Sequence, residues 1–329
     1  MRAIVVEKPT PHSELRVGEA PEPTVGPRDV KLEVHAAACN FFDTLIVQER
    51  YQVKPGFPFV PGGEAAGVVI EVGRDVTRFS PGDRVLALGS TGGYGERAVF
   101  PEAAVQPIPD AMPFDDASAI PITYPTSYAA LVYRAALQPG ETLLVHAAAG
   151  GVGLAAVQIG RALGARVIAT AGGADKCAVT VEEGAEAAID YRSEDFVQRI
   201  QQLTDGRGAD VIYDSVGGET TQKSLKCIAW NGRLLIVGFA GGDIPEIRAN
   251  RILLKNIAVT GVHWGAYVEH EPERVPECFR EIFALYERGA LRPRIFGEYP
   301  LAELPDALEL LASRKTHGKL IIHPQEGGA

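Results

Sequence analysis

The sequence predicts an α/β protein in which a compact β domain precedes a doubly wound parallel sheet, and three observations lead to that class. The chain has 329 residues, a length that suggests two domains. Its first third contains short β-branched segments separated by turn signals. From about Pro121 onward, short apolar strands alternate with helical segments, as in a parallel sheet covered on both faces.

The first domain is predicted to be a β barrel or sandwich with irregular loops. Its turns include Ser80-Pro81-Gly82-Asp83, in which Pro and Gly interrupt the strands. The predicted strands are Ala3–Glu7, Val30–Ala37, Gly67–Val72, Arg84–Leu88 and Arg97–Phe100.

The second region alternates between segments with the hydrophobic pattern of a strand and segments with that of a helix. Ser193 with the acids after it is typical of a helix start. Predicted helices are Thr123–Ala136, Val152–Leu163, Lys176–Glu183 and Ser193–Thr204. Predicted strands are Thr142–Ala147, Arg166–Ala171, Ala187–Asp190, Asp210–Asp214, Arg233–Gly238 and Asn256–Val262.

The C-terminal part is too short for a third domain, so we expect it to complete the first one. It contains two amphipathic helices, Arg274–Arg288 and Ala302–Ser313, and a strand, Lys319–His323. The expected division is therefore residues 1–122 for the first domain, 123–264 for the dinucleotide-binding domain and 265–329 for the return.

Composition excludes several classes of function. The net charge is −10, from 32 Lys and Arg against 42 Asp and Glu, so nucleic acid and anionic membrane surfaces are poor partners. No apolar run approaches the length of a membrane span. The four cysteines are far apart and form no CxxC pair, which favours reduced thiols in a cytoplasmic protein.

The strongest motif joins a predicted strand to a predicted helix at Ala147-Ala148-Ala149-Gly150-Gly151-Val152-Gly153. Gly150 would let the backbone approach a pyrophosphate, and Gly153 would let the helix pack closely on the strand. The N-terminus of the helix offers free N–H groups to the phosphates. Residues Ala149, Gly150, Gly151, Val152 and Gly153 are the expected contacts, whereas His146 in the strand is expected to be a satisfied core histidine.

The next strand favours NADPH over NADH. NAD-binding chains usually place an acid about 20 residues after the fingerprint, but Thr170–Ala174 contains none. Thr170 and Gly172 can approach a 2′-phosphate, and Lys176 and Arg192 can supply cations. Asp175 is a contrary sign, and an ordinary solvated lysine is the alternative interpretation of Lys176.

With these features the chain resembles the medium-chain dehydrogenase/reductase superfamily over essentially its whole length, and it is most similar to the zinc-free quinone oxidoreductase, or zeta-crystallin-like, branch. The set of motifs in this order is specific, although single motifs are not. The matching stretches are Asn40-Phe41-Phe42-Asp43, Pro61–Gly67, Gly82-Asp83-Arg84-Val85, Ala147–Gly153 and Tyr213-Asp214-Ser215-Val216-Gly217.

Two departures from the zinc-dependent relatives matter. Asn40 stands where they carry a cysteine ligand, and Gly63 stands where they carry a histidine. The closely spaced cysteines of their structural zinc site are also absent from the sequence. A tetrahedral Zn²⁺ site needs such thiolate or imidazole groups, so we expect no metal.

The resemblance implies a GroES-like β-barrel catalytic domain, a Rossmann domain and hydride transfer from NADPH to a quinone or an α,β-unsaturated carbonyl. A 2-alkenal or enoyl-thioester reductase is the alternative. The second alternative is a non-catalytic NADPH-binding protein, either crystallin-like or a sensor. The resemblance also implies a homodimer, joined through the edge strand Asn256–Val262.

The resemblance also assigns roles to single residues. Asn40 would bind the cofactor or donate to the substrate oxygen. Tyr51 would donate a proton, line the pocket or be purely structural. Lys319 would reach the cofactor, although a plain turn there is nearly as plausible. The remaining expected cofactor contacts are Thr126, Tyr191, Gly238 and Phe239.

Overall fold

The computed structural model describes residues 1–326, and the chain divides into two units. Unit 1 contains Met1–Ile122 and the chain from Pro293 onward, and unit 2 contains Thr123–Arg292. The expected return to the first domain at residue 265 therefore lies too early in the sequence. Each unit is described by itself below.

The first part of unit 1 is built mainly from strands. In β3 (Asp29–Ala38) most residues alternate between buried and half-buried positions, because successive side chains of a strand point to opposite faces. The elements are β1 (Arg2–Ile4), β2 (Val17–Glu19), β3 (Asp29–Ala38), α1 (Phe41–Ile46), β4 (Glu64–Val72), β5 (Arg84–Leu88), β6 (Arg97–Pro101), β7 (Val105–Pro107) and α2 (Phe114–Ser118).

Unit 2 is a parallel six-stranded sheet with helices between successive strands. Its elements are α3 (Thr123–Tyr128), β8 (Thr142–Val145), α4 (Gly151–Ala162), β9 (Arg166–Ala171), α5 (Ala174–Glu182), β10 (Ala187–Asp190), α6 (Phe196–Leu203), β11 (Ala209–Asp214), α7 (Gly218–Cys227), β12 (Ile228–Ile236), α8 (Ala249–Lys255), β13 (Ala258–Gly261), α9 (Tyr267–His270) and α10 (Arg274–Glu287).

The strand order of this sheet is β10-β9-β8-β11-β12-β13. The order reverses between β8 and β11, and ligands of such sheets bind beyond the carboxyl ends of the strands at that point. The predicted helix Thr123–Ala136 is divided, since a π-helix at Ala129–Arg134 follows α3. Asp195, not Ser193, caps α6, because its carboxylate accepts the backbone N–H groups of Val197 and Gln198.

The aromatic residues around Trp264 explain why residues 265–292 stay in unit 2. Trp264 stacks on Tyr267, with ring centroids 5.3 Å apart, and contacts Phe279 of α10 edge-on at 6.3 Å. Tyr267 in turn lies 6.1 Å from Tyr133 of the π-helix. Burial of these rings holds α9 and α10 to unit 2.

The chain then completes unit 1 with β14 (Ile295–Pro300), α11 (Leu304–Ala312) and β15 (Lys319–His323). Within residues 1–326, the main sheet of this unit has the order β14-β15-β3-β4-β5-β7, and β6 also pairs with β3. Ile321 and Ile322 of β15 lie opposite Ala38 and Ala37 of β3. This register brings the start of β15 to the end of β3, just before Asn40.

Across the part of the chain that the structure describes, no helix has both the length and the apolar character needed to cross a membrane. The four cysteines are unpaired, and three of them, Cys39, Cys227 and Cys278, are buried.

Candidate functional site

The loop between β8 and α4 in unit 2 has the geometry expected of a phosphate-binding turn. Ala147 adopts a left-handed conformation with φ 47°, and the backbone N–H of Ala148 donates to the carbonyl oxygen of Thr170 at 2.9 Å. Gly150 is then the extended N-cap residue of α4. The loop is thereby fixed to the neighbouring strand β9.

The two glycines of this loop serve different purposes. A Cβ atom on Gly153 would lie 2.4 Å from the carbonyl oxygen of Ala147 and 2.7 Å from Cα of Ala148, so only glycine allows the helix to pack this closely. A Cβ on Gly150 would meet nothing nearer than 3.4 Å. Gly150 is exposed, so its missing side chain leaves room for a ligand rather than for the protein itself.

The first turn of α4 leaves donors available to an anion. The first helical hydrogen bond runs from the N–H of Leu154 to the carbonyl oxygen of Gly150 at 2.8 Å, and no side chain caps the helix. Gly151, Val152 and Gly153 precede that bond, and the N–H groups at such positions have no partner within the helix. Together with the helix dipole they form a site suited to phosphate oxygens.

Under the loop, His146 is buried and fully hydrogen-bonded, as the sequence predicts. Its Nδ1 lies 3.0 Å from the Thr170 hydroxyl and its Nε2 lies 2.8 Å from the Ser224 hydroxyl. Burial lowers the pKa of His146 to about 4, and the nearby Asp214 carboxylate opposes this only partly. The ring is therefore neutral near pH 7. The sequence predicts that Thr170 can approach a 2′-phosphate, but its hydroxyl is buried and directed at His146 instead.

The predicted residues at the ends of β9 and β10 do come together. A Cβ on Gly172 would lie 2.5 Å from the Tyr191 hydroxyl and 3.1 Å from Nε of Arg192, so both side chains cover this glycine. Asp190 holds the arrangement, because its Oδ1 accepts the N–H groups of Gly173 at 2.9 Å and of Arg192 at 3.0 Å.

A depression of about 400 Å³ lies beside these residues and is lined in part by Tyr191, Arg192, Thr220 and Lys223. Such a volume is in the range of small-molecule sites. Lys176 lies in the first turn of α5, three residues after Gly173, whereas Asp175 is exposed. The backbone N–H groups of Gly173 and Arg192 donate to Asp190 and lower the pKa of its carboxyl, so this carboxylate is ionised and already occupied by the protein.

Thr126 lies in α3, and its neighbour Ser127 fixes α3 to the phosphate loop. The Ser127 hydroxyl donates to the carbonyl oxygen of Val152 at 2.8 Å and lies 3.0 Å from the buried Tyr213 hydroxyl. Thr126 is half-buried. The side chain predicted to contact the nicotinamide is therefore held at a fixed position relative to α4.

The loops after β11 and β12 are joined by backbone hydrogen bonds, among them Ala240 N–H to the Ser215 carbonyl at 3.0 Å. Gly238 and Phe239 lie in the second loop, and Cδ1 of Phe239 would be 2.9 Å from a Cβ on Gly217. The predicted contacts Gly238 and Phe239 thus border the same strand ends as the phosphate loop, because β11 is next to β8.

In unit 1, three buried polar side chains form what we call the Lys319 network: Asn40, Glu64 and Lys319. The Lys319 ammonium donates to Oδ1 of Asn40 and to Oε2 of Glu64, both at 2.7 Å. The side chains of Lys319 and Glu64 are only 5% and 0% exposed. Burying an ion costs several kcal/mol unless it is paired, so each charge depends on the other.

The amide of Asn40 is committed to this network. Its Nδ2 donates to Oε2 of Glu64 at 2.6 Å and to the carbonyl oxygen of Ala38 at 3.3 Å. Oε1 of Glu64 accepts the backbone N–H of Ile122. Because both amide hydrogens of Asn40 are bound within the protein, the predicted donation from Asn40 to a substrate oxygen would require one of these bonds to break.

Asp43 lies directly beside the network and is fully buried. Its Oδ2 accepts the backbone N–H of Asn40 at 2.7 Å and the Tyr94 hydroxyl at 2.8 Å, while its Oδ1 is a buried atom with no hydrogen-bond partner. Burial raises the pKa of Asp43 to about 7, and these hydrogen bonds and the Lys319 charge counteract only part of the rise. Burial and the Asp43 charge likewise raise the pKa of the Cys39 thiol to about 12.

Tyr51 is half-buried and packs on Phe42, with ring centroids 5.4 Å apart. Burial and the Asp43 charge raise the pKa of Tyr51, which makes its phenol a weaker proton donor near pH 7. Of the three roles that the sequence leaves open for Tyr51, this geometry favours lining a pocket over donating a proton.

The residues around Gly63 do not fit a catalytic zinc ion. A Cβ on Gly63 would lie 2.4 Å from Cζ of Phe42, so the ring occupies the space that a ligand side chain would need. Asn40 and Glu64 already hold an ammonium. Among residues 1–326, the grouping of three possible metal ligands consists of Asp115, Glu298 and His323, none of which belongs to the Lys319 network.

Comparisons with known proteins agree with this geometry. Residues 26–110 match the alcohol dehydrogenase GroES-like domain, and residues 151–284 match the family described as zinc-binding dehydrogenase. A quinone oxidoreductase-like protein 2 homolog from Nematostella vectensis is 42% identical over 305 residues, which are 92% of this chain and 83% of that protein. The chain belongs to the medium-chain dehydrogenase/reductase superfamily, in its quinone oxidoreductase branch.

Two solved structures extend this likeness over the whole length. Escherichia coli quinone oxidoreductase complexed with NADPH has a TM-score of 0.90 and 32% identity, with 98% of this chain and 100% of that chain covered. A 2-haloacrylate reductase has a TM-score of 0.87 and 30% identity, with 99% and 100% covered. The fold class predicted from the sequence, a GroES-like domain with a Rossmann domain, is confirmed, and so is the predicted family.

Several residues of the site escape sequence reasoning. Glu64 enters the sequence analysis only as part of the Pro61–Gly67 motif, yet it is the counter-ion of Lys319. Asp190 and Ser127, which fix the Gly172 turn and α3, are not predicted at all. An acid that ends a strand just before a Gly-rich turn is a signal that could have found Asp190; the pairing of Glu64 with Lys319 leaves no local signal.

Proposed function

We propose that this protein transfers a hydride from NADPH to a quinone or an α,β-unsaturated carbonyl compound, without a metal ion. The observation that carries the proposal is the cradle formed by Gly150 and the uncapped start of α4. A Cβ on Gly150 would occupy the space of a ligand rather than that of the protein. The family supports a dinucleotide in that cradle, and the E. coli structure contains NADPH.

The preference for the 2′-phosphorylated cofactor rests on the Gly172 turn. Tyr191 and Arg192 cover Gly172, and Lys176 follows in the first turn of α5. A phosphate there would meet two cations, whereas the nearby Asp190 carboxylate is occupied by backbone N–H groups. Oδ1 of Asp190 is therefore not free to accept a hydrogen bond from a ribose 2′-OH, and Asp175, which is exposed at the same turn, stays the contrary sign.

When bound, NADPH supplies a hydride at its nicotinamide ring, and the protein supplies position and charge. The loop and α4 bind the pyrophosphate, Ser127 holds α3 and with it Thr126, and Gly238 and Phe239 border the strand ends. Conjugated acceptors are already activated for hydride addition, so a hydrogen-bond donor suffices in place of a metal. Water, which is in excess, supplies the final proton, and the raised pKa of Tyr51 makes its phenol a weaker donor than an ordinary tyrosine.

A second candidate function is reduction of a short 2-alkenal or an enoyl thioester. The similarity to a 2-haloacrylate reductase favours it, because a haloacrylate also carries a double bond conjugated to a carboxyl carbon. A non-catalytic NADPH-binding protein is the remaining alternative. It would bind NADPH in the same cradle but would oxidise none with any acceptor.

The decisive experiment follows NADPH absorbance with a panel of 1,4-benzoquinone, 9,10-phenanthrenequinone, 2-alkenals and crotonyl-CoA. We expect oxidation with at least one quinone or enone. Binding of NADPH without oxidation by any acceptor would refute the enzymatic function. Lys176→Ala should weaken NADPH binding at least tenfold and leave NADH binding nearly unchanged; equal losses for both cofactors would contradict the assignment to the 2′-phosphate.

A homodimer is the proposed assembly. β13 is an edge strand of the unit 2 sheet, and unprotected edges readily pair with a second chain. Near it Trp230, Leu253 and Leu254 are 66%, 78% and 70% exposed. Sedimentation should show a dimer that the Leu253→Asp/Leu254→Asp variant dissociates; a wild-type monomer would contradict it.

A further inference from the structure

The Lys319 network contains one donor that the protein does not use. An ammonium carries three N–H bonds, and among the described residues Lys319 Nζ has two acceptors, Asn40 and Glu64. The two amide hydrogens of Asn40 are both donated within the protein, and Glu64 binds Lys319, Asn40 and Ile122 only as an acceptor. The remaining N–H of the network therefore belongs to Lys319.

The charge of that donor is held in place. Oε2 of Glu64 and Oδ1 of Asn40 restrain the ammonium from two sides, and Glu64 is completely buried while Asn40 and Lys319 retain slight exposure. Solvent therefore reaches the network at Asn40 and Lys319 and not at Glu64. A ligand oxygen that approaches Lys319 Nζ would meet a fixed positive donor in surroundings with little water, where such a donor has its greatest effect.

We propose that Lys319 is the hydrogen-bond donor to the carbonyl oxygen of the acceptor, and that Asn40 and Glu64 are positioning residues that hold it. This inference rests on the proposed function and specifies its oxyanion site. As the hydride forms a C–H bond at the conjugated carbon, the π electrons shift and the C=O pair moves onto oxygen. Lys319 stabilises that oxyanion by hydrogen bonding and charge, and its own N–H bond stays intact. Water then protonates the product.

This assignment differs from both roles expected from the sequence. Donation by Asn40 would break its hydrogen bond to Glu64 or to the Ala38 carbonyl, whereas donation by Lys319 breaks no bond. A contact of Lys319 with the cofactor, as the family resemblance implies, would make NADPH binding depend on this lysine. The two roles therefore predict opposite results for Lys319→Met.

The first test uses 4-nitrophenol, whose phenolate stands in for the oxyanion, and needs no turnover. In the wild type we expect the pKa of the bound phenol, followed by phenolate absorbance, to fall by at least one unit relative to the free phenol. Lys319→Met should abolish this shift, and Lys315→Met, at an exposed lysine nearby in sequence, should keep it. Absence of binding to the wild type, or equal shifts in wild type and Lys319→Met, would overturn the assignment.

The second test compares acceptors. Lys319→Met should lower kcat/KM by about 100-fold for enones, whose reduced oxyanions are strongly basic, and by less for easily reduced quinones. If Lys319 were merely structural, Lys319→Met would lower kcat/KM equally for all acceptors. A loss of NADPH affinity beyond about threefold would favour the cofactor contact, and either result overturns the inference.

If Lys319→Met does not fold, Glu64→Gln/Lys319→Met, which removes both charges, replaces it in both tests. A wild type that oxidises no NADPH would refute the proposed function, whereas the phenol titration still decides the role of Lys319.

Discussion

The two units bury polar networks of opposite chemistry. In unit 1 the Lys319 network consists of an ammonium, a carboxylate and an amide, with a second buried acid, Asp43, beside it. In unit 2 the groups under the phosphate loop are a neutral imidazole and two hydroxyls, His146, Thr170 and Ser224. Neutral groups that satisfy one another support a backbone at little cost, whereas buried charges are costly.

This difference separates two ways of preparing a binding site. The neutral network of unit 2 leaves its ligand contacts to the backbone, at Gly150 and the start of α4. The charged network of unit 1 presents a side chain, and its counter-ion must be built into the core. We therefore expect substitutions in unit 1 to respond strongly to charge and those in unit 2 to respond mainly to shape.

The largest expected effect comes from breaking the ion pair. Glu64→Gln leaves the Lys319 ammonium buried without a counter-charge and should lower the free energy of unfolding by about 3–5 kcal/mol. Glu64→Gln/Lys319→Met removes both charges and should recover much of that loss. Urea unfolding of the single and double variants measures the coupling; additive losses would mean that the two charges do not stabilise each other.

The next effect is a pH dependence that Asp43 imposes. Its pKa is about 7 in the folded protein against the ordinary value of 3.8, so its favourable contribution is complete below about pH 4 and is lost as the pH rises through 7. The span corresponds to about 4 kcal/mol. Asp43→Asn keeps an oxygen for Asn40 and Tyr94 but cannot ionise, so its stability relative to the wild type should rise between pH 4 and 8.

A titration of stability against pH also distinguishes the two units, because the contribution of His146 changes with pH in the opposite direction to that of Asp43. Its pKa of about 4 lies below the ordinary value of 6.5, so its contribution is present above about pH 6.5 and is lost as the pH falls towards 4. A difference between wild type and Asp43→Asn that is flat with pH would show that Asp43 is not a source of the dependence.

A shape effect in unit 2 should come third. Gly153→Ala places a methyl group against the backbone of Ala147 and Ala148 and should cost about 1–3 kcal/mol in thermal or urea unfolding. Gly150→Ala is the matched control, since its methyl group has room; it should change stability by less than about 0.5 kcal/mol but weaken NADPH binding strongly. The reverse ranking would exchange the roles of the two glycines.

The smallest effect is expected at Thr170. Thr170→Val removes the hydroxyl partner of His146 Nδ1 and should cost about 1–2 kcal/mol of stability. Its NADPH dissociation constant should stay within about threefold of wild type, because the hydroxyl faces the core. A tenfold weakening in a binding titration would instead return Thr170 to the 2′-phosphate site.

Sequence reasoning succeeds where the signal is local. The phosphate loop, the strands Arg166–Ala171 and Ala187–Asp190 and the start of α4 follow from periodicity and glycine spacing over a few residues. By contrast α7 is missed because its ten residues are mostly polar, and β14 because Gly297 and Pro300 interrupt it.

The charged network is beyond local reasoning altogether. Asn40 and Glu64 are 24 residues apart and Lys319 is 255 residues beyond Glu64, so no pattern in the sequence marks the three as partners. Asp190 is nearer to its partners, 17 residues from Gly173, but its role depends on how β9 and β10 pair. Such contacts depend on tertiary pairing, not on propensity.

The distance between Asn40 and Lys319 also bears on how the protein is made. Lys319 follows Asn40 by 279 residues, and β15, which carries it, pairs with β3 from the start of the chain. On the ribosome, Glu64 therefore has no counter-ion until residue 319 has emerged. Unit 2, which is continuous from Thr123 to Arg292, has all its residues earlier. Unit 1 thus begins before unit 2 but receives β15 only after unit 2 has been synthesised.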